Sequence, residues 1–419
     1  MERLIVRAGR PLGGRVRVSG MTKNAGLKQM AAALLTPGVT TLLNVPRVDD
    51  LDVMMDVLRA VGADVEWHAP GELHIDASGR LTPEAPYDLV TRMRASVNVL
   101  GPLLARCGEA RVAMPGGDNI GSRKLDMHLR GLVSMGAEVE VVHGFIRARA
   151  NALGGAHVVL EFPSVGATEN VLTAAVLAKG ETVIENAARE PEITDLVAFL
   201  NRMGAQVRGA GTSRLEIDGV DALAPIEHEV MPDRIEAGTL LMACGIAGGE
   251  IELDGARLGD VEMVVRKLTE MGMEIERTPD GARARSSRRL RAVDIATLPF
   301  PGFATDFMPI AVATLASAEG TGIVTENVFD SRLGFCDELN RMGADIRTEG
   351  RHAVVRGVQR LSGAPVRALD VRAGAALVLA GLAADGETEV LDPFHIDRGY
   401  SDLPGSLRAL GADVERVGA

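Results

Sequence analysis

One phrase recurs six times in this chain of 419 residues, as LRAVGADVE, LVSMGAEVE, LNRMGAQVR, LTEMGMEIE, LNRMGADIR and LRALGADVE. Its glycines are Gly62, Gly136, Gly204, Gly272, Gly343 and Gly411, spaced by 74, 68, 68, 71 and 68 residues. A period of this kind marks a repeat architecture, in which each unit buries its apolar face against a neighbour. Each copy predicts an amphipathic helix closed by a left-handed glycine and followed by a strand of period two. Upstream of each lies a helix of another kind, as in KQMAAALL, SVNVLGPLLA, NVLTAAVLA, TLLMACGIA, PIAVATLASA and GAALVLAGLAA. A helix that is apolar all round must be buried all round.

The fold predicted is therefore α/β: a two-domain, inside-out α/β barrel of six βαβαββ-like repeats, three per domain with pseudo-threefold symmetry. Its central helices are buried and its sheets lie outside. The boundary is expected near Pro225 to Met231. The first strand, Leu4 to Val18, precedes the first repeat and is expected to complete the opposite domain. Residues 1–20 plus 231–419 then form one domain and 21–230 the other, with the active site in the cleft between them. At 419 residues, two cores are the ordinary outcome.

Polar residues gather at the entries to the apolar helices: Lys23 and Asn24, Arg94, Ser164 with Gly166, Asp233 with Arg234, Asp306, and Asp370 with Arg372. Parallel helices would aim these ends at one surface, and helix N-termini with Lys and Arg suit phosphate and carboxylate groups. Such a pocket would have to work against a formal net charge of -12, which itself argues against nucleic-acid and anionic-membrane partners. The competing reading is that the aspartates are helix caps. An arginine also precedes the second helix of every repeat (Arg47, Arg123, Arg189, Arg257, Arg332, Arg398), so its position there is partly a repeat feature.

Three cysteines without a CxxC pair fit neither a disulfide framework nor a zinc site and suit a reducing cytosol. No metal motif stands out, and no cofactor is expected. The N-terminus lacks a signal-peptide core, and the longest uncharged apolar run, Ala373 to Ala384, is too short to span a bilayer.

The segments MRAS (Met93 to Ser96), PGGDNIGSR (Pro115 to Arg123), PSVGATEN (Pro163 to Asn170), PDRIEAGT (Pro232 to Thr239), PFPGFATDF (Pro299 to Phe307), TENVFDSR (Thr325 to Arg332) and HIDRGY (His395 to Tyr400) closely resemble the UDP-N-acetylglucosamine enolpyruvyl transferases. The resemblance runs essentially end to end. It implies transfer of the enolpyruvyl group of phosphoenolpyruvate to the 3'-hydroxyl of UDP-N-acetylglucosamine, a cytoplasmic step of peptidoglycan synthesis, with no obligate protein partner. It implies that Lys23, Arg123 and Arg398 hold phosphoenolpyruvate, with Arg94 at its phosphate end. Asn24, Asp306, Ser164, Val165, Gly166, Lys124, Leu125, Asp126, His128, Val328 and Phe329 would contact the nucleotide sugar, and Arg332, Asp370 and Arg372 would complete the anion clamp. Asp306 would be the base and Asp118 the acid.

Most relatives carry cysteine at the position of Asp118; a minority carry aspartate. The epoxide fosfomycin alkylates that cysteine, so an aspartate there implies resistance. Asn98 stands where tryptophan is common, Lys124 where proline is frequent, and SGMTKN has one residue more than usual before the lysine. These three departures leave open a paralogue that uses another nucleotide acceptor. A non-catalytic sugar-nucleotide binding protein is a third reading.

Overall fold

The computed structural model of the protein describes residues 2–20, 23–118, 120–121 and 124–418. The chain divides into two compact units, one of Met1–Ser19, Asn119–Ser122 and Pro232–Ala419, the other of Gly20–Asp118 and Arg123–Met231. Each has its own continuous apolar core.

The repeating glycines do what their positions require. All six have positive φ, from 81° at Gly343 to 112° at Gly272, a conformation that glycine adopts without the Cβ penalty. Each ends an outer helix: Asp49–Ala60, Asp126–Ser134, Pro191–Arg202, Glu262–Met271, Cys336–Arg341 and Leu403–Ala409. A strand follows each one. The inner helices are Lys23–Ala32, Leu100–Cys107, Val165–Ala175, Arg234–Ala247, Met308–Ala316 and Val371–Gly381. Every residue of the last two is buried, as their all-round apolar sequences demand.

Two inner helices begin in a way that their patterns do not announce. Tight 3-10 turns, Arg94–Val99 and Thr305–Phe307, lead into Leu100–Cys107 and Met308–Ala316. The first of these turns carries Arg94 and the second Asp306.

Three four-stranded sheets enclose the inner helices of each unit. In the unit of repeats one to three, each sheet has a short strand parallel to a central strand, which then pairs with an antiparallel hairpin. The short strand beside Val39–Leu43 is Glu227–Glu229, from the far end of the unit, so the ring of repeats closes on itself.

The other unit closes its ring with the N-terminus. The expected single strand from Leu4 to Val18 is two strands, Arg3–Arg7 and Leu12–Arg17. Leu12–Arg17 runs parallel to Gly249–Asp254 of repeat four, while Arg3–Arg7 lies antiparallel between Glu387–Leu391 and Asp413–Val417 of repeat six. Among the described residues no helix is long and apolar enough to cross a membrane.

Candidate active site

Three aspartates stand at the entries of the inner helices Arg234–Ala247, Met308–Ala316 and Val371–Gly381, and the structure separates their roles. Asp233 Oδ1 accepts from the backbone N–H groups of Ile235 and Glu236 at 2.8 and 3.2 Å. Asp370 Oδ1 accepts from those of Arg372 and Ala373 at 2.8 and 2.9 Å. Both are helix caps. Asp306 lies inside the Thr305–Phe307 turn and is not the N-cap residue of that turn or of the helix after it. Instead Arg332 Nη2 donates to its Oδ1 at 3.1 Å, and Arg372 Nε lies 3.8 Å from the same oxygen.

Burial alone would raise the Asp306 carboxyl, but Arg372 and then Arg332 outweigh it and hold it well below the usual carboxylate range. Asp306 is thus firmly ionised. Asp233 goes the other way: burial, opposed by Arg372, pushes it up to about 7.

The two arginines are themselves fixed from behind. Arg332 Nη1 donates to Thr305 Oγ1 at 2.7 Å. The Arg372 guanidinium lies 5.1 Å over the Tyr400 ring, whose hydroxyl is 2.8 Å from Thr239 Oγ1. Arg332 Nε and Arg372 Nη1 are buried with no hydrogen-bond partner among the described residues. An unpaired buried guanidinium N–H is costly. Anionic oxygens of a substrate would satisfy both.

Glu326 organises the neighbouring loop. Its Oε1 accepts from the N–H groups of Val328 and Phe329 at 2.8 and 3.0 Å, and its Oε2 accepts from Thr305 Oγ1 at 2.7 Å. The backbone donors of Val328 and Phe329 are therefore used within the protein. Phe329 has the Arg332 guanidinium 5.4 Å from its ring centroid. Beside this loop lies a cavity of about 290 Å³ lined by Glu326, Phe329, Arg332, Asp337 and Arg351 among others. Arg398 is half-buried two residues before Tyr400.

The unit of repeats one to three carries a polar group of its own. Lys23 Nζ donates to Asp50 Oδ2 at 2.8 Å, with Asp50 almost wholly buried. Lys28 Nζ and Asn98 Nδ2 both donate to Glu169 Oε2, at 3.0 and 2.7 Å. Burial raises the Glu169 carboxyl against the pull of Lys28.

Asn170 fixes the tautomer of His128. Its Oδ1 accepts from the Gly101 N–H at 3.0 Å, which orients the amide so that Nδ2 donates to His128 Nδ1 at 2.9 Å. The imidazole proton therefore sits on Nε2. Burial first, then Arg94 and Lys28, lower its pKa to about 3, so the ring is a neutral donor at physiological pH. Gly166 faces this ring: a β-carbon there would lie 2.9 Å from His128 Cε1. Ser164 caps the helix that follows, accepting from Ala167 N at 3.3 Å, with half-buried Val165 as its first residue.

The remaining predicted residues divide. Asn24 and Arg94 are half-buried on this unit, and Arg94 Nη2 lies 3.5 Å from the Lys124 carbonyl. The Lys124 side chain is exposed, Leu125 is part of the apolar core, and Asp126 pairs with Arg130 at 2.7 Å one turn along its helix. Asp118 is half-buried in a loop anchored by Gly116, where a β-carbon would lie 1.8 Å from the Thr91 carbonyl oxygen. Arg123 lies outside the described residues. Asn98 turns inward to Glu169, which gives this departure a structural use that needs no change of acceptor.

Glu326, Thr305, Tyr400, Asp50, Lys28 and Glu169 were missed from sequence. One signal was available: Glu169 is the single charge in the helix Val165–Ala175, where burial requires a partner.

Two three-repeat α/β units, carrying buried arginines with open N–H groups beside an ionised aspartate, define a protein built to handle an anionic substrate. The family model described as EPSP synthase (3-phosphoshikimate 1-carboxyvinyltransferase) matches residues 6–407, and the chain belongs to that family. It is 50% identical over 421 residues to a UDP-N-acetylglucosamine 1-carboxyvinyltransferase of Corynebacterium jeikeium, covering 99% of each chain. It is 51% identical to the enzyme of that name from Gluconobacter oxydans, covering 100% of both. Among solved structures, the enolpyruvyl transferase NikO from Streptomyces tendae is similar, with a TM-score of 0.88 at 26% identity, over 100% of this chain and 99% of that one.

Proposed function

We infer that this chain transfers the 1-carboxyvinyl (enolpyruvyl) group of phosphoenolpyruvate to the 3'-hydroxyl of UDP-N-acetylglucosamine with release of phosphate, the first committed step of peptidoglycan synthesis. The observation that carries this is the full-length likeness, at about half identity, to enzymes of that name. The cytoplasm suits the reading, since all three cysteines are free thiols.

Asp306 takes the acceptor hydroxyl proton as the oxygen bonds to carbon 2 of the enol, while Asp118 protonates the methylene carbon. The tetrahedral adduct then loses a methyl proton and expels phosphate. Arg332 and Arg372, with Lys23, Arg94, Arg123 and Arg398, neutralise the phosphate and carboxylate as charge builds on them. The low basicity of Asp306 follows from its arginines. Anionic substrate oxygens on those arginines weaken their hold and return basicity to Asp306 when it is needed.

Phosphate release from phosphoenolpyruvate tests the reading directly. Release that depends on UDP-N-acetylglucosamine is expected; binding without release would sink it. A second test uses the loop. Asp118 is no thiolate nucleophile, so fosfomycin should leave the activity unchanged over time, whereas Asp118→Cys should confer time-dependent inactivation. A covalent adduct on Asp118 itself would overturn the expectation.

A further inference from the structure

On the sheet of repeat one lies a cluster that the transfer reaction does not use. Period-two alternation buries Leu73 and Ile75 and sends Glu72 and His74 to the opposite face. On the neighbouring strand the pairing is regular from Asp64 opposite Asp76 to Trp67 opposite Leu73, and then slips so that Ala69 faces Glu72. His68 is the extra residue. A bulge re-aims the side chain that it inserts, and the His68 ring stacks on that of His74, centroids 4.3 Å and planes 9° apart. Glu72 Oε1 accepts from His74 Nε2 at 2.7 Å. One donor atom from each of the three side chains lies within 4.8 Å of the other two.

We propose that His68, Glu72 and His74 form a binding site for a divalent transition cation, of which Zn²⁺ fits best. Two imidazoles and one carboxylate are a zinc ligand set, and water completes the shell. Tetrahedral bonds of 2.0–2.1 Å place ligand atoms about 3.3 Å apart, closer than the present 4.8 Å. Rotation of the exposed His68 side chain supplies the difference. The cation takes the place of the Nε2 proton that His74 donates to Glu72; the neutral ring carries that proton on Nδ1 instead, so no net charge is lost from the imidazole. Glu66, directly opposite His74, adds a further carboxylate to the same face. Spacing along the chain does not flag the set, because His68 reaches the pair only through the bulge.

Trp67 is the one tryptophan in the chain and the neighbour of His68, so its fluorescence reports on this site. Full-length protein without an affinity tag, stripped with EDTA and dialysed, is titrated with Zn²⁺ by calorimetry and with Ni²⁺ by quenching of Trp67. Expected are about one equivalent of Zn²⁺ with Kd below roughly 100 µM and quenching that saturates at the same stoichiometry. His68→Gln and His74→Gln should each weaken binding at least about tenfold, leaving phosphoenolpyruvate turnover unchanged. If either variant loses its native circular dichroism, Glu72→Gln carries the test, since it keeps a hydrogen-bond acceptor but removes the charge; the same weakening is expected. Absence of saturable Zn²⁺ binding to the wild type, or wild-type affinity in the folded variants, would overturn the proposal.

Discussion

Asp233, Asp306 and Asp370 look alike in sequence, each an aspartate ahead of an apolar helix. What separates them is where their oxygens point: two accept helix N–H groups, and the third meets Arg332 and Arg372. Local sequence holds the cap but not the arginines, of which Arg332 comes from 26 residues further along the same repeat and Arg372 from the next, so the distinction was not legible before the fold. Asp306→Asn keeps the shape and removes the base; it should lower kcat by about 10² to 10⁴ while the Kd for UDP-N-acetylglucosamine moves by less than about tenfold. Equal turnover would refute the assignment. His128 offers a prediction of a different kind. Its folded pKa, about 3, lies below the unfolded value near 6.5, so the unfolded chain binds the proton first as pH falls. The stability it contributes is complete above pH 6.5 and is lost on the way down to about 3. In urea titrations the wild type should lose roughly 3 kcal/mol between pH 6.5 and 4 through this residue, and His128→Gln should lack that loss. An identical acid profile in the two proteins would mean that His128 is already charged in the fold.

At the scale of the element, glycine has two separate uses here. At Gly136, Gly343 and Gly411 an added β-carbon would meet nothing within 4 Å, so the requirement is the left-handed backbone alone. Alanine at Gly411 should cost about 1–2 kcal/mol, read as a lower urea midpoint, with kcat untouched. Gly238 lies inside a buried helix, where a β-carbon would stand 2.3 Å from Phe307 Cε1. Phe307 is the residue after Asp306 and is packed on all sides. Gly238→Ala should therefore shift the Thr305–Phe307 turn and cut kcat about tenfold or more, since catalytic geometry tolerates little displacement. Unchanged kcat in a folded variant would show that the ring yields elsewhere. The first use was legible, because six glycines at a constant phase of a repeat announce a helix end. The second was not, since a glycine within an apolar helix resembles any small core residue until its neighbour across the packing is known. The 3-10 entries at Arg94 and Thr305 escaped notice for a related reason: an apolar pattern shows that a helix is buried, not how tightly its first turn is wound.

For the whole molecule, chain order and spatial order disagree where each ring of repeats closes. Repeats one to five each supply their own hairpin, but the sixth takes Arg3–Arg7 as the partner of Asp413–Val417. The repeat count made the need for an outside strand legible, while the use of two strands, each serving a different repeat, emerged only from the pairing. The N-terminal segment buries Leu4, Val6, Leu12 and Val18 in the core of the second unit. At about 2 kcal/mol each, their loss matches the whole stability of an ordinary domain. A chain starting at Gly20 should therefore keep residues 20–231 resistant to protease and lose 232–419 to digestion. A circular permutant separates this cause from mere truncation. Arg3 lies directly opposite Val417, so joining residue 419 to residue 1 leaves 418, 419, 1 and 2 as a four-residue hairpin connection, a length that antiparallel strands commonly use. Opened between Ser19 and Gly20, such a chain gives repeat six the continuous hairpin that its sister repeats have. Protease resistance of 232–419 should return in the permutant. If that region stays labile, or survives without residues 1–19 at all, the N-terminal strands are not what closes the second ring.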